Sequence, residues 1–524
     1  MKSLSLGIQT FKEIIDSKHL YIDKTKHIYD LIKHGKCYFL SRPRRFGKSL
    51  LCSTLEQIFL GNKELFKDLW IYDSDYDWKP HPVIRFDMSG IPKKTPAIFA
   101  SSLLKAVQEI AENNQITYKP DLLPEELLRY IIKTLSVKHN TRVVIIIDEY
   151  DDPILKHIDN KKAAGETKEI LRDFYKIFKA LDEYIQFILL TGITRFSKVS
   201  VFSGLNQLED ITMASRASNL LGYTQNELET YFTEHIEAAA EKRGETVDKV
   251  LQQIRYWYNG YRFSKKVLSV YNPYSVMSYL KAVTIDDDAD FSNYWFKTGT
   301  PTFLIKLMEK SGSDYSGIEP VRVTQEDLED FNIETLPIKT ILYQAGYLTI
   351  SEFHRMEQQY TIDFPNNEVR ESLIKRLLSS MTHAQTYASI ENIPKKLLQA
   401  LQDEDFDKLK DILYKIYVEI PHTIKIASEK YYQTIFLLAF KFFGIKIDVE
   451  IATNIGRVDA TITLPDKIYI IEFKIDQSSG IALQQIKDKK YYEQFLGKNK
   501  KVILVGVNFD TKARNITEVK SECL

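Results

Sequence analysis

The sequence predicts an α/β chain in three parts: a parallel-sheet domain over 1–282, a helical middle over 283–385 and a smaller α/β domain over 386–524. Three observations predict it. A short apolar strand, Lys36 to Leu40, runs through a loop ending in Gly47-Lys48-Ser49 into a helical stretch closed by Gly61. A second apolar run, Arg142 to Ile147, is continuous and ends in two acids, as strands buried on both faces of a parallel sheet do. Near the C-terminus, two segments with the period of a strand flank Leu464-Pro465-Asp466-Lys467, a good turn because proline pre-sets its backbone angle. The length of 524 residues also suits three units at ~150 residues each.

Strand, loop, Gly-Lys-Ser and helix together form the context of a phosphate-binding P-loop. Backbone N–H groups and the helix N-terminus would hold phosphates, Lys48 would reach the β/γ-phosphates and Ser49 would ligate Mg²⁺. Arg42 stands where such a loop has its first glycine, and Pro43 removes a donor. The tripeptide alone is common by chance, so the acidic strand end carries the argument. Asp148 would hold Mg²⁺, usually through water, and Glu149 would polarise an attacking water. A further strand, Tyr184 to Leu190, leads to Thr191, Thr194 and Arg195, any of which could meet the γ-phosphate. Arg195 equally suits a salt bridge that needs no phosphate.

In the C-terminal segment, a two-residue loop at Pro465-Asp466 makes facing residues sum to 931. Asp459 then lies opposite Glu472, with Cβ atoms ~5 Å apart, where like charges repel. A divalent cation between them removes that penalty. Lys474, two residues on, shares their face. Two carboxylates and a lysine suit metal-assisted phosphodiester cleavage, the ammonium orienting the nucleophile or offsetting developing charge. An exposed polar sheet face is the alternative. Residues 428–443 read as a buried helix with Glu429 in its first turn, 480–492 as a second helix, and Lys501 to Val507 as a buried strand.

This helix–strand–strand–helix–strand order, with Glu429, Asp459, Glu472-x-Lys474 and Gln485, resembles the PD-(D/E)xK nuclease superfamily over about the last quarter of the chain. The resemblance implies Asp459 and Glu472 as metal ligands, Lys474 as the catalytic lysine, and Gln485 and Tyr491 as supporting residues. Glu429 matches a helix carboxylate that some members add. Arg457-Val458 precede Asp459 in place of a Pro-Asp-type leader. In the N-terminal half, four stretches together resemble the bacterial AAA-ATPase-like family, a P-loop branch whose members commonly carry such a nuclease domain. They are Tyr21-Ile-Asp-Lys-Thr25, the loop from Arg42 to Ser49, Ile147 to Pro153, and Arg195 to Asn206. In that family Arg-Pro-Arg-Arg replaces the glycine-rich start. The implied nucleotide-binding set is Arg44, Arg45, Gly47, Lys48, Ser49, Asp148, Thr194 and Arg195, with Glu149 catalytic. The expected fold is thus an AAA-like P-loop NTPase sheet with a helical lid, a winged-helix-like middle and a PD-(D/E)xK nuclease-like domain.

Residues 220–282 read as the helical lid. Its aromatic density suits a packed core better than base stacking. The acids at 286–290 mark a boundary. Beyond them a strand pair, Leu342 to Ile350 and Tyr360 to Pro365, precedes a helix from Asn367 to Ser380; such a module could read DNA or relay nucleotide state.

Formal net charge is zero, so no global field draws the chain to nucleic acid. A local patch could, formed by Lys487, Lys489, Lys490, Lys498, Lys500 and Lys501, unless it is a solvated helix edge. Cys37, Cys52 and Cys523 form no metal-ligand spacing. No apolar run approaches the ~18 residues of a membrane span, so a cytoplasmic protein without a membrane partner is expected. The leading reading is ATP binding coupled to metal-dependent DNA cleavage, with Mg²⁺ as cofactor and Mn²⁺ an option at the nuclease site. RNA and self-association stay open. The alternatives are a nucleotide-dependent regulatory or nucleic-acid-binding switch with a silent nuclease fold, and an ATPase with no nucleic-acid partner.

Overall fold

A computed structural model describes residues 1–524 apart from 197–201, 203–204, 206, 286–289, 296–319, 330–336, 383–392, 419–432, 434, 438, 441–444, 446, 454–455 and 498. The chain divides into two compact units, Met1–Phe303 with Pro320–Val369, and Arg370–Leu524 with Leu304–Glu319. The stretch expected as a separate middle region is therefore shared between them.

The first unit is built on a five-stranded sheet of β1 (Cys37–Ser41), β2 (Val83–Asp87), β3 (Val143–Asp148), β4 (Ile185–Gly192) and β5 (Glu209–Asp210), in the order β2-β3-β4-β1-β5. Every pairing is parallel. β1 and β3 are buried at every position, which is why their sequences are unbroken apolar runs. Helices Pro96–Asn113, Pro124–His139 and Lys161–Ala180 pack beside it. The lid residues form helices Gln225–Tyr231, Thr233–Arg243, Val247–Tyr258 and Pro273–Ile285. They share a core of Leu228, Phe232, Ile254, Tyr258, Tyr279 and neighbours, so the aromatic density is packing.

A three-stranded antiparallel sheet of β6 (Val321–Val323), β7 (Thr349–His354) and β8 (Gln359–Asp363), in the order β6-β8-β7, completes this unit. The strand expected from Leu342 begins later. Residues Ile338–Ala345 form a helix whose last six positions are buried, and Gly346 terminates it. An apolar run buried all round carries no period by which strand and helix differ.

The second unit holds a sheet of β9 (Ile447–Thr453), β10 (Gly456–Thr463), β11 (Lys467–Ile475), β12 (Lys501–Asp510) and β13 (Asn515–Cys523), in the order β13-β12-β11-β10-β9. β11 and β12 are parallel and the other pairs antiparallel. The hairpin register is the expected one, Ala460 facing Ile471 and Ile462 facing Tyr469. Helix Ser479–Asp488 covers one face, Leu483 and Ile486 packing with Ile468, Ile470 and Leu504. Gly506 makes this approach possible, since a Cβ there would lie 2.1 Å from the Ser479 carbonyl oxygen. β9 and β13 were not foreseen. Much of 428–443 lies outside the described residues, including Glu429; Ile435, Phe436 and Phe440 are buried and helical.

Candidate nucleotide cavity and carboxylate pair

β1 delivers the loop Arg42 to Gly47, and Gly47, in the left-handed region at φ +93°, turns it into helix Lys48–Phe59. Loop and first helical turn form one end of a cavity of about 410 Å³ lined there by Arg44, Arg45, Gly47, Lys48, Ser49 and Glu149. Asp87 and Ser89, unnoticed in the sequence, join this polar end. Ile8, Leu20, Ile22, Leu221, Tyr223 and Met277 supply an apolar end. Charged and apolar side chains lining one cavity match a base joined to phosphates. The apolar wall draws on three distant stretches, so no single motif announces it.

Lys48 Nζ lies 3.1 Å from the Arg42 carbonyl oxygen, 3.3 Å from that of Pro43 and 3.5 Å from Glu149 Oε1. Asp148, buried at the end of β3, accepts hydrogen bonds from Thr191 Oγ1 and, at 3.1 Å, from the Glu149 amide. Two acids at the carboxyl ends of parallel strands beside a lysine suit a hydrated Mg²⁺, which takes one or two carboxylates plus phosphate oxygens and water. Ser49 lines the same end.

Arg42 is not among the residues that line the cavity. It is 1% exposed, stacks 4.1 Å over Phe263 and donates to the carbonyls of Ser41, Thr212 and Ala217 at 2.7–2.8 Å. Burial pushes its guanidinium down to about 10. The residue in place of the first glycine therefore ties the loop to the segment behind it.

Thr194 donates from both its amide and Oγ1 to Asp151 Oδ2, each at 2.6 Å, rather than reaching into the cavity. Asp151 is fully buried, and burial with Glu149 nearby pushes its carboxyl up to about 6. Arg195 is paired with Asp210 and, at 2.7 Å, with Glu329, while its amide donates to Gln344 Oε1 at 2.8 Å. The salt-bridge alternative describes its geometry. Glu329 and Gln344 lie more than a hundred residues away, beyond the reach of local sequence reading.

In the second unit, the hairpin brings Asp459 beside Glu472, its Oδ2 accepting from the Phe473 amide at 2.8 Å. Lys474 Nζ is 3.1 Å from Glu472 Oε1, and Gln485 Nε2 donates to the same oxygen. Tyr491 hydrogen-bonds Gln485, and burial with Glu472 nearby raises its phenol. Asp459, Glu472, Lys474, Gln485 and Tyr491 are thus brought together. The face is not the exposed polar one that was the alternative: Glu472 is 2% exposed beneath helix Ser479–Asp488. Burial first, then Asp459, pushes its carboxyl up to about 7, Lys474 opposing. Among the described residues Glu472 Oε2 is buried with no hydrogen-bond partner. An orphaned carboxylate oxygen beside a second carboxylate fits a hard cation such as Mg²⁺ or Mn²⁺. Among the described residues no three His, Cys, Asp or Glu side chains converge on one point, and Glu429 lies outside them.

The lysine patch is largely paired off. Lys487 meets Glu522, Lys490 meets Glu493 and Lys501 meets Glu404, while Lys500 donates to the Leu464 carbonyl. Lys498 lies outside the described residues. No described helix is long and apolar enough to cross a membrane.

A family model described as "Predicted AAA-ATPase" matches residues 5–202, and one described as "PD-(D/E)XK nuclease superfamily" matches residues 427–519. An "Uncharacterized protein in vnfD 5'region" from Azotobacter chroococcum mcd 1 is 35% identical over 538 residues, covering 100% of this chain and 99% of that protein. Among solved structures, Cdc6p from Pyrobaculum aerophilum aligns with a TM-score of 0.28 and 10% identity, over 68% of this chain and 93% of that one. Aeropyrum pernix ORC2 aligns with a TM-score of 0.27 and 11% identity, over 71% and 93%.

Proposed function

Because the chain belongs to the AAA-ATPase-like family and carries a PD-(D/E)XK nuclease superfamily domain, we propose that it binds and hydrolyses ATP in the 410 Å³ cavity and cleaves DNA at the Asp459–Glu472 pair. In the cavity, Arg44, Arg45 and Lys48 would neutralise the phosphates, the base would occupy the apolar end, and Glu149 would orient the water that attacks the γ-phosphate. Asp148 and Ser49 would hold Mg²⁺ there. Thr191 fixes the Asp148 carboxylate through the oxygen it shares with the Glu149 amide.

At the second site a Mg²⁺ or Mn²⁺ ion, held by Asp459 and Glu472, would polarise the scissile phosphate and acidify water. Lys474 would place its ammonium against the developing negative charge, and Gln485 would fix the Glu472 carboxylate it touches. The carrying observation is the buried Glu472 Oε2, without a hydrogen-bond partner among the described residues, in a carboxylate that has Asp459 beside it. Left without a cation, such an arrangement costs stability; with one, it becomes a ligand set.

The test incubates pure protein with plasmid, oligonucleotide and RNA, with and without ATP and Mg²⁺ or Mn²⁺. Metal-dependent fragments from wild type, lost in Lys474→Ala while its melting temperature holds, support the proposal. Undiminished cutting by that variant removes the assignment. A regulatory switch with a silent nuclease face is the second reading, favoured by the pairing of Lys487, Lys490 and Lys501 with acids, which leaves less free positive charge for a phosphate backbone. It predicts ATP binding and no fragments with any metal.

A further inference from the structure

A buried carboxylate outside both sites joins the two walls of the nucleotide cavity. Glu368, at the start of helix Asn367–Thr382, has no exposed surface. Its Oε2 accepts from Ser275 Oγ and its Oε1 from the Trp295 amide, each at 2.7 Å. Ser275 belongs to helix Pro273–Ile285, whose Pro273, Tyr274 and Met277 line the cavity. The indole N–H of Trp295 donates to the carbonyl of Arg44, on the phosphate loop, at 3.1 Å, and its ring lies edge-on to Tyr347 at 5.2 Å. Arg45 in turn lies 4.6 Å over Tyr274 on the facing helix. Loop and lid thus meet twice, once across the cavity and once behind it through Glu368.

A carboxylic group held in an apolar interior must be satisfied, and both of its oxygens are. Apolar side chains would fill such a place more cheaply if packing were all that was needed. We propose that Glu368 is a positioning residue of the nucleotide site, fixing the spacing between phosphate loop and lid helix through Trp295 and Ser275. This rests on the nucleotide reading of the cavity. A triphosphate needs Arg44, Arg45 and Lys48 at a set distance from the wall that holds the base. Losing the bridge frees the Arg44 end of the loop, so it weakens ATP more than AMP, which uses less of the phosphate end.

The experiment measures affinities for ATP and AMP with full-length wild type, Glu368→Ala, Glu368→Gln and Trp295→Phe. Wild type binds ATP, whereas Glu368→Ala and Trp295→Phe bind it about tenfold more weakly with AMP affinity nearly unchanged. Glu368→Gln, which keeps an oxygen for the Trp295 amide and can donate to Ser275, stays within about twofold of wild type. Trp295→Phe keeps an aromatic ring, though a smaller one, and removes the indole donor, so it decides the matter if Glu368→Ala does not fold. ATP affinity unchanged in Trp295→Phe, or ATP and AMP weakened equally, overturns the positioning role while leaving the nucleotide site intact. Wild type that binds no ATP overturns both.

Discussion

Replacing Glu368 with glutamine should make the first unit more stable at pH 8 than the wild type and leave it nearly unchanged at pH 4. Burial pushes the Glu368 carboxyl from 4.5 up to about 7, against hydrogen bonds from Ser275 and from backbone amides that favour ionisation. The other titratable groups facing it are the phenols of Tyr258 and Tyr261, both raised by burial and therefore neutral across this range. An acid with a raised folded value holds its proton longer in the folded than in the unfolded state. Stability therefore falls as pH rises from 4.5 to about 7, and the full penalty stands above that. At ~1.36 kcal/mol per pH unit, the interval amounts to about 3 kcal/mol. Glutamine has no proton to lose, so its melting temperature should match wild type closely at pH 4, below the unfolded value, and exceed it by about 3–6 °C at pH 8. All four tryptophans, at 70, 78, 257 and 295, lie in the first unit, so tryptophan emission, excited selectively over tyrosine, follows that unit alone. A difference between the proteins that is the same at both pH values refutes the reasoning.

Lys48→Ala should raise the Kd for ATP more than tenfold, because its ammonium sits 3.5 Å from Glu149 at the polar end of the cavity; equilibrium binding of a fluorescent ATP analogue checks this. Arg42→Met should lower the first unit's melting temperature, since it leaves the Ser41, Thr212 and Ala217 carbonyls without their buried donor, at a cost of about 2–4 kcal/mol. Gly506→Ala should destabilise the second unit by about 2 kcal/mol or more and depress DNA cleavage with it. Its new Cβ meets the backbone of Ser479, and the helix that yields carries Gln485; a melt and a cleavage assay on the same protein test the pairing.

Local chemistry made the cores of both sites legible. A two-residue turn at Pro465-Asp466 sets the hairpin register, Ala460 facing Ile471, and Asp459 and Glu472 come together just beyond the last pair. The run Val143–Asp148 is apolar because both faces of β3 are buried, and its acids fall where the parallel strands end. What stayed hidden depends on partners far along the chain. Nothing near Arg195 announces Asp210 and Glu329, and nothing near Lys501 announces Glu404, 97 residues before it. Glu368 reads as an ordinary acid in the first turn of a helix, and only the fold places it under Trp295 and Ser275. Leu342 to Ala345 reads as the start of a strand yet belongs to helix Ile338–Ala345, because burial all round removes the alternation that separates the two conformations.

The central claim for the second unit is that Asp459 and Glu472 share one divalent ion. Calorimetric titration of metal-free protein with Mn²⁺ tests it without requiring any substrate. Wild type should bind, with at least tenfold loss in Asp459→Asn and in Glu472→Gln and little loss in Lys474→Ala. Any ion taken up at Asp148 and Ser49 is common to all these proteins, so an Mn²⁺ stoichiometry unchanged by both carboxylate substitutions, or a wild type that takes up no Mn²⁺, would contradict it.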